Sequence, residues 1–210
     1  MVNFFLRARH WQVFLLILGL PLLAEFIFFG LIFSEGSDLS QPSAAFNAFD
    51  RAMRFIPWLI LISMGGILSW FWSIGHGLQE KIPAELRPKT SFLAISIAFP
   101  LLYFFLLFQV FMPDMFSSAD PQFFLVDNPG WLALIIPMHF FAMFCMFYNM
   151  YFAAKTLKLA ERQAPVRTGD YIGDFFLLWF FIIGIWFIQP RVNRLAEDEP
   201  DNWQSGLLDD

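Results

Sequence analysis

Charged residues, cysteine and recognisable catalytic motifs are all scarce in this chain of 210 residues. Only 15% of the residues are charged, whereas a soluble domain has about 25%. Cys145 is the one cysteine, which excludes an intrachain disulfide and a cysteine-based metal site. The three histidines have no metal-ligand spacing, so we expect no metal and no cofactor. The sequence also lacks a glycine-rich phosphate loop and the motifs of serine and zinc hydrolases.

What the sequence has instead is apolar residues, which make up 58% of it and include 30 phenylalanines. They are concentrated in five runs, and a helix needs about 20 mostly apolar residues to cross the hydrocarbon of a bilayer. Four of the five runs reach that length. We therefore predict an all-α fold, a polytopic integral membrane helix bundle of about five transmembrane helices in contact with the lipid bilayer. The predicted spans are residues 12–33, 55–74, 92–112, 131–154 and 171–189.

The fifth run is the doubtful span, because its uninterrupted apolar part, Phe175–Ile188, has only fourteen residues. That length is more typical of a re-entrant or interfacial segment than of a span. We favour five spans, and re-entry of the fifth run is the alternative. After a single transmembrane domain of residues 1–190, the acidic residues 191–210 are predicted to form a flexible tail.

Lysine and arginine are unevenly distributed over the connections between the runs, and this distribution predicts the orientation. Nine basic residues lie in the N-terminal segment and in the second and fourth connections, against four in the first and third connections and the tail. The N-terminus is therefore expected in the cytoplasm and, with five spans, the C-terminus outside. Re-entry of the fifth run would move Arg191 and Arg194 to the cytoplasmic side, and the ratio would become eleven against two.

Glu25 is the residue that fits least well into a membrane-spanning helix. A carboxyl group at membrane depth is costly and usually faces a bundle interior, where it is paired or protonated. Pro21, four residues earlier, should also bend the helix. His139 of the fourth run has a similar predicted depth, so we hypothesise a buried polar pair of Glu25 and His139. The pair would serve as a proton or ligand site, or as a structural hydrogen bond between helices.

Gly65, Ser69, Ser73 and Gly77 recur every four residues along the second run and therefore lie on one helix face. Small residues at this spacing permit close approach of two backbones, which is the small-xxx-small pattern of membrane helix packing. This small-residue stripe predicts a helix contact, either within the chain or against a partner.

Lys155, Lys158 and Arg162 share one face of the predicted cytoplasmic extension of the fourth helix. Contact with lipid phosphates is one interpretation of this group. The ordinary excess of basic residues in cytoplasmic connections is the other, and it is the one we favour.

Three functions are compatible with these features. The leading one is a non-enzymatic membrane subunit or scaffold, whose helices pack against a membrane-protein partner or a second copy of the chain. The second is a small transporter or channel component that uses Glu25 and His139. The third is an intramembrane enzyme acting on a lipid, based on Asp170 and Asp174, although stabilisation of a helix start explains these two residues better. The net charge of −5 is concentrated in the loops and tail, so we expect no nucleic-acid partner.

Two stretches carry a resemblance to a family: residues 173–194, with the sequence GDFFLLWFFIIGIWFIQPRVNR, and residues 135–149, which begin with IIPMH. They resemble small, uncharacterised multi-pass membrane proteins of bacteria, and the likeness covers most of the chain. The resemblance implies a protein of the bacterial cytoplasmic (inner) membrane and implies no activity. In those proteins a proline stands where this chain has Ile182 or Ile183, so the resemblance carries over no bend in the last run.

Overall fold

The computed structural model describes residues 2–36, 42–115 and 130–197, and within these ranges it contains helices and no strand. The prediction of an all-α fold is therefore confirmed for this part of the chain. Two short 3₁₀ turns, Gln79–Lys81 and Ala84–Leu86, lie in the connection between the helices that end at Gly77 and begin at Ser91. The helices are α1 (Val2–Arg7), α2 (His10–Phe14), a π-helical turn (Leu15–Gly19), α3 (Leu20–Gly36), α4 (Pro42–Gly77), α5 (Ser91–Met115), α6 (Gly130–Arg162), α7 (Thr168–Trp179) and α8 (Phe181–Glu197).

Four helical stretches in the described ranges are long and apolar enough to cross a membrane. They correspond to the first four apolar runs of the sequence and suit a multi-pass membrane protein. Many of their large apolar side chains are not covered by the rest of the chain. Phe26 is 74% exposed and Phe33 is 75% exposed. The four stretches are His10–Ser34, Arg54–Lys81, Ser91–Gln109 and Gly130–Arg162.

The first of these stretches changes its hydrogen-bonding pattern near its start. The residues of α2 are α-helical, Leu15–Gly19 are π-helical, and the α-helix resumes at Leu20. Pro21 has no N–H group to donate to the carbonyl of Ile17, so the α-helical pattern is interrupted there. The irregularity that the sequence predicts next to Pro21 therefore takes the form of a π-helical turn.

The fifth apolar run is not one continuous helix, because the chain turns at Phe180, between α7 and α8. The two helices form a hairpin, in which Arg191 of α8 hydrogen-bonds Asp174 of α7. Gly184 is required in this hairpin because a methyl group at its position would overlap the carbonyl oxygen of Leu177. At about 1.5 Å per residue, α7 and α8 are about 18 and 25 Å long, shorter than a hydrocarbon core of about 30 Å. The count of five spans is thus not confirmed, and re-entry of the fifth run stays a prediction.

The helices extend beyond the predicted span boundaries, and the extensions of α4 and α8 matter most for the prediction. α4 begins at Pro42, well before the span predicted to start at residue 55. α8 continues to Glu197, so residues 191–197 are helical instead of forming the start of a flexible tail, and Val192 is fully buried there. The remaining tail, residues 198–210, lies outside the described residues.

The described chain divides into two compact units. We call residues 2–14, 69–93 and 149–197 the polar unit, and residues 15–36, 42–68, 94–115 and 130–148 the apolar unit. The polar unit contains most of the buried hydrophobic side chains, with Trp70, Phe71 and Leu157 among the largest. Buried polar side chains are also concentrated in it, namely Ser73, Asn149, Thr156, Asp174 and Gln189. Because buried polar groups require partners, specific polar contacts are expected in this unit.

Candidate functional site

Four charged side chains from three helices of the polar unit meet in a part-buried group that we call the ionic cluster. α6 contributes Lys158 and Glu161 from its last turns, α7 contributes Asp174, and α8 contributes Arg191. Their side chains are between 8% and 23% exposed. The hairpin of α7 and α8 brings the last two residues together, although they are 17 positions apart in the sequence.

The Arg191 guanidinium lies at the centre of the ionic cluster. Its Nε and Nη2 donate to the two carboxylate oxygens of Glu161, at 2.6 and 2.8 Å. Its Nη1 and Nη2 donate to the two oxygens of Asp174, the second at 3.0 Å. Such bidentate, charge-assisted bonds are the strong form of this interaction. Burial opposes the charge of Arg191, but the hydrogen bonds with Glu161 and Asp174 outweigh it and raise the pKa of the guanidinium above its ordinary value.

Lys158 balances the remaining charge of the ionic cluster. Its Nζ lies 3.0 Å from Oε2 of Glu161 and 3.3 Å from Oδ2 of Asp174. Two cations therefore face two carboxylates, and the cluster as a whole is neutral. Each carboxylate forms ion pairs with both cations. The ionic cluster therefore joins the end of α6 to α7 and α8.

A second polar group, which we call the amide cluster, consists of Trp70, Gln189 and Asn193. The side chain of Gln189 is fully buried, and its Oε1 accepts a hydrogen bond from Nε1 of Trp70 at 2.7 Å. Its Nε2 donates to the carbonyl oxygens of Phe5, at 2.6 Å, and Ala8, at 2.8 Å. Both ends of the buried amide are thus satisfied, as burial of a polar side chain requires.

Asn193, one turn further along α8, makes the same kind of contact. Its Nδ2 donates to the carbonyl oxygens of Leu6, at 2.7 Å, and Ala8, at 3.0 Å. The last carbonyls of a helix have no intrahelical partner, and α1 has only six residues. A helix this short is marginal by itself. The amides of α8 therefore supply the donors that hold α1 in place.

Glu25 and His139, the predicted polar pair, both belong to the apolar unit. Glu25 is half-buried in α3, and His139 is exposed in α6. In the described part of the chain, no hydrogen bond or ion pair joins them. The polar contact of His139 is with Tyr103, whose hydroxyl oxygen lies 3.4 Å from Nδ1 of the imidazole. A role of Glu25 and His139 in binding a proton or a ligand stays a prediction.

The small-residue stripe of α4 packs inside the chain at its C-terminal end. A methyl group on Gly77 would lie 2.7 Å from a methyl of Val2 and 2.8 Å from a methyl of Leu6, so α1 approaches the backbone of α4 closely. Ser73 is buried, and its hydroxyl donates to the backbone carbonyl of Ser69 at 2.8 Å. At the other end, the nearest atom to a methyl on Gly65 would lie 3.9 Å away.

The three basic residues proposed to contact lipid phosphates all have partners within the polar unit. Lys158 belongs to the ionic cluster, and Nη1 of Arg162 lies 2.8 Å from Oδ1 of Asp170. Nζ of Lys155 lies 5.8 Å from the centre of the Tyr151 ring, within the range of a cation–π contact. A lipid contact of this group stays a prediction.

Asp170 and Asp174 have different roles. Asp170 accepts a hydrogen bond from the backbone N–H of Arg167 at 2.8 Å and so caps the start of α7. This bond, together with the guanidinium of Arg162, holds the pKa of Asp170 below its ordinary value. Asp174 belongs to the ionic cluster instead. Stabilisation of a helix start, the preferred explanation of the pair, thus applies to Asp170.

The amide cluster and Glu161 were not predicted from the sequence. One signal was available, because Gln189 and Asn193 are four residues apart and would share a helix face. Their place at the end of the last apolar run favoured a tail over a helix. The carbonyls that these amides reach depend on the turn at Phe180, which the local sequence does not specify.

The resemblance of residues 135–149 and 173–194 to small multi-pass membrane proteins of bacteria stays a prediction from the sequence. No protein-family model, curated protein or solved structure matches the chain.

Proposed function

We propose that this protein is a non-enzymatic integral membrane subunit or scaffold, whose long apolar helices pack against other membrane helices. One contrast carries the proposal: the ionic and amide clusters are satisfied inside the chain, whereas large apolar side chains of the long helices are exposed. Apolar surface of this extent requires lipid or a partner to cover it. Within the polar unit, the amide cluster joins α8 to α1, and the ionic cluster joins α8 to α6 and α7. These contacts provide the fixed base that a scaffold needs.

The proposed topology has four spans and a re-entrant hairpin of α7 and α8, in the cytoplasmic membrane of a bacterium. Its support is the contact of Arg191 with Glu161, because this contact returns α8 to the end of α6 from which the chain enters α7. Arg191 and Arg194 then join the basic side, and the excess of basic residues there predicts that both chain ends are cytoplasmic. The ionic cluster would lie at headgroup level, where charges cost less than in hydrocarbon.

Cysteine labelling of the full chain in intact cells tests this topology. In a Cys145→Ala background, single cysteines replace Asn3, Ser43 or Ser205. A membrane-impermeant maleimide is expected to label Ser43→Cys from outside, and Asn3→Cys and Ser205→Cys only after the membrane is opened. Labelling of Ser205→Cys from outside would overturn the re-entrant hairpin. Recovery of the chain in the supernatant after ultracentrifugation without detergent would overturn membrane insertion itself.

Gentle extraction tests the scaffold function. The tagged full chain is extracted with a mild detergent, isolated, and analysed by mass spectrometry together with whatever accompanies it. We expect a second integral membrane protein in constant stoichiometry. A monomer accompanied only by lipid, in several mild detergents, would contradict the scaffold function.

A small transporter or channel component is the second candidate, and one contact favours it. The hydroxyl of the buried Tyr103 lies 3.4 Å from the imidazole of His139, and the ring of Phe104 borders the same imidazole, with centroids 6.0 Å apart. Titratable groups in contact within an apolar bundle are the pattern of proton relays. Proton flux into liposomes containing the protein, lost in His139→Ala and Glu25→Gln, would favour this candidate. A flux no greater than that of protein-free liposomes would remove it.

A further inference from the structure

The apolar unit contains a cleft between α4 and α5 with a volume of about 150 Å³. Apolar cavities of about this size take up a benzene-sized group. The walls of the cleft are mainly apolar and include Trp58, Leu61 and Phe105. Arg54 and Gln109 add a cation and an amide to this lining. A ligand that uses all of these groups must combine an apolar part with an anion.

Aromatic side chains shape the apolar part of the cleft. Trp58 and Phe105 contact each other edge to face, with ring centroids 6.1 Å apart. The Trp58 side chain is 47% exposed, so its indole is available at the surface of the chain. Tryptophan is enriched where lipid headgroups meet hydrocarbon, because its ring is apolar and its N–H is polar.

The two polar groups of the cleft lie at the same end of two neighbouring candidate spans. Arg54 directly precedes the apolar run of residues 55–74, and Gln109 lies near the end of the apolar run of residues 92–112. We propose that this cleft binds an anionic phospholipid, with its phosphate at Arg54 and Gln109 and one acyl chain along the apolar walls. The inference rests on the proposed membrane insertion, and in the proposed topology the lipid belongs to the outer leaflet.

The chemistry of the lining selects this ligand over simpler ones. A guanidinium has five N–H donors in a planar fork, which matches the oxygens of a phosphate even when it also serves another partner. A free phosphate ion would leave the contact area of Trp58, Leu61 and Phe105 unused. A lipid without net negative charge would gain less from Arg54. The combination therefore favours a ligand that is both anionic and lipidic.

Native mass spectrometry and thermal unfolding of the delipidated full chain in a neutral detergent test the proposal. The probes are phosphatidylglycerol, phosphatidylcholine and inorganic phosphate. Phosphatidylglycerol is expected to remain bound and to raise the Tm more than phosphatidylcholine does. Arg54→Gln should weaken its binding about fivefold, the effect of one basic residue near an anionic lipid. Arg54→Lys keeps the charge but loses the planar fork of donors. Its affinity for phosphatidylglycerol should therefore lie between those of the wild type and Arg54→Gln.

Two further variants separate this site from general attraction of lipid. Lys89→Gln removes the same charge from an exposed position in the polar unit and should leave phosphatidylglycerol binding unchanged. Leu61→Trp fills the cleft and should weaken the binding. Equal binding by wild type and Arg54→Gln, or displacement of the lipid by inorganic phosphate alone, would overturn the site. Sedimentation of the chain with membranes tests the proposed insertion separately. If the chain sediments with membranes and either of these two results is obtained, the lipid site is refuted and the proposed insertion is not.

Discussion

The polar unit and the apolar unit differ in what covers their side chains. In the polar unit, large apolar side chains such as Trp70, Phe71 and Leu157 are buried by the chain itself. In the apolar unit, Phe26, Phe33 and Phe140 are 74%, 75% and 67% exposed. The first unit is therefore stabilised by particular contacts within the chain. The second leaves large apolar side chains uncovered by the chain, and under the proposed membrane insertion lipid surrounds them.

This difference predicts where a substitution matters. A change in the polar unit removes a specific partner and leaves a buried group unsatisfied, which is costly. A matched change at an exposed position removes few contacts within the chain and should cost little. Pairs of similar substitutions, one at a specific contact and one at an exposed position, therefore measure the difference directly.

The largest effect is expected for Arg191→Ala. The substitution leaves Glu161 and Asp174 close together and part-buried, with only Lys158 to balance them. Breaking a buried ion pair by removing one partner costs about 3 kcal/mol or more. Unfolding in detergent, followed by the near-ultraviolet circular dichroism of the tryptophans, should show this loss of unfolding free energy.

Arg194→Ala is the matched control, because Arg194 is exposed on the same helix. Its effect should stay within about 0.5 kcal/mol, as for most surface substitutions. Arg191→Lys should fall between the two, because an ammonium group keeps the charge but not the bidentate bonds. Equal stability of Arg191→Ala and Arg194→Ala would mean that the ionic cluster does not stabilise the polar unit.

The next largest effect is expected for Gln189→Leu. Leucine leaves the carbonyls of Phe5 and Ala8 with fewer donors and the indole N–H of Trp70 without its acceptor. Orphaned buried groups cost about 1–3 kcal/mol. We expect a loss of about 2 kcal/mol and faster amide hydrogen exchange in residues 2–9, because α1 is released from α8.

Gln12→Leu is the control for this prediction. The Gln12 side chain accepts a hydrogen bond only from the exposed backbone N–H of Arg9, within the described residues. Its replacement should change the unfolding free energy by less than about 0.5 kcal/mol. If the two variants expose α1 equally, the amide cluster is not what holds that helix.

Much of the fold could be predicted because apolar runs of about 20 residues specify long helices by composition alone. The fifth run shows the limit of this reasoning. Its composition is as apolar as that of the other runs, yet the chain turns back at Phe180, and Gly184 leaves room there for the carbonyl of Leu177. The short uninterrupted length of Phe175–Ile188 is the one sequence feature that sets this run apart, and re-entry into a membrane stays a prediction.

The polar contacts were harder to predict because their partners are distant in the sequence. Gln189 reaches carbonyls more than 180 residues away, and Arg191 reaches Glu161 across the connection between α6 and α7. A carboxyl in an apolar run is locally unusual, so Glu25 is conspicuous in the sequence. An amide at the end of such a run is ordinary, so the sequence gives no comparable signal for Gln189. The partners of Gln189 follow from the packing of α1 against α8, and the partner of Arg191 follows from the packing of α8 against the end of α6. No local pattern encodes either contact.

Two glycines give a smaller but more direct comparison of a packed position in the polar unit with an open position in the apolar unit. A methyl group on Gly75 would lie 2.9 Å from the ring of Phe152 and 3.2 Å from a methyl of Leu93, whereas one on Gly30 would have nothing within 4 Å. Gly75→Ala should cost about 1–2 kcal/mol through overpacking. Gly30→Ala should be neutral or slightly stabilising, since alanine is the better helix former. Equal costs, measured by unfolding in the same detergent, would contradict the difference in packing.

The smallest effect is expected from the titration of Asp170. Its folded-state pKa is below the ordinary value because it accepts the Arg167 N–H and lies beside Arg162, so its capping stabilises α7 above about pH 4. That contribution is lost as the pH falls through the lower folded-state value. Amide exchange at residues 168–172, corrected for intrinsic rates, should therefore be constant down to about pH 5 and faster in stronger acid. Asp170→Asn keeps an acceptor oxygen but cannot titrate, so its exchange should be faster than wild type at neutral pH and should change less in acid. If both proteins lose protection in parallel, the acid response does not come from Asp170, and the cap contributes nothing that this measurement detects.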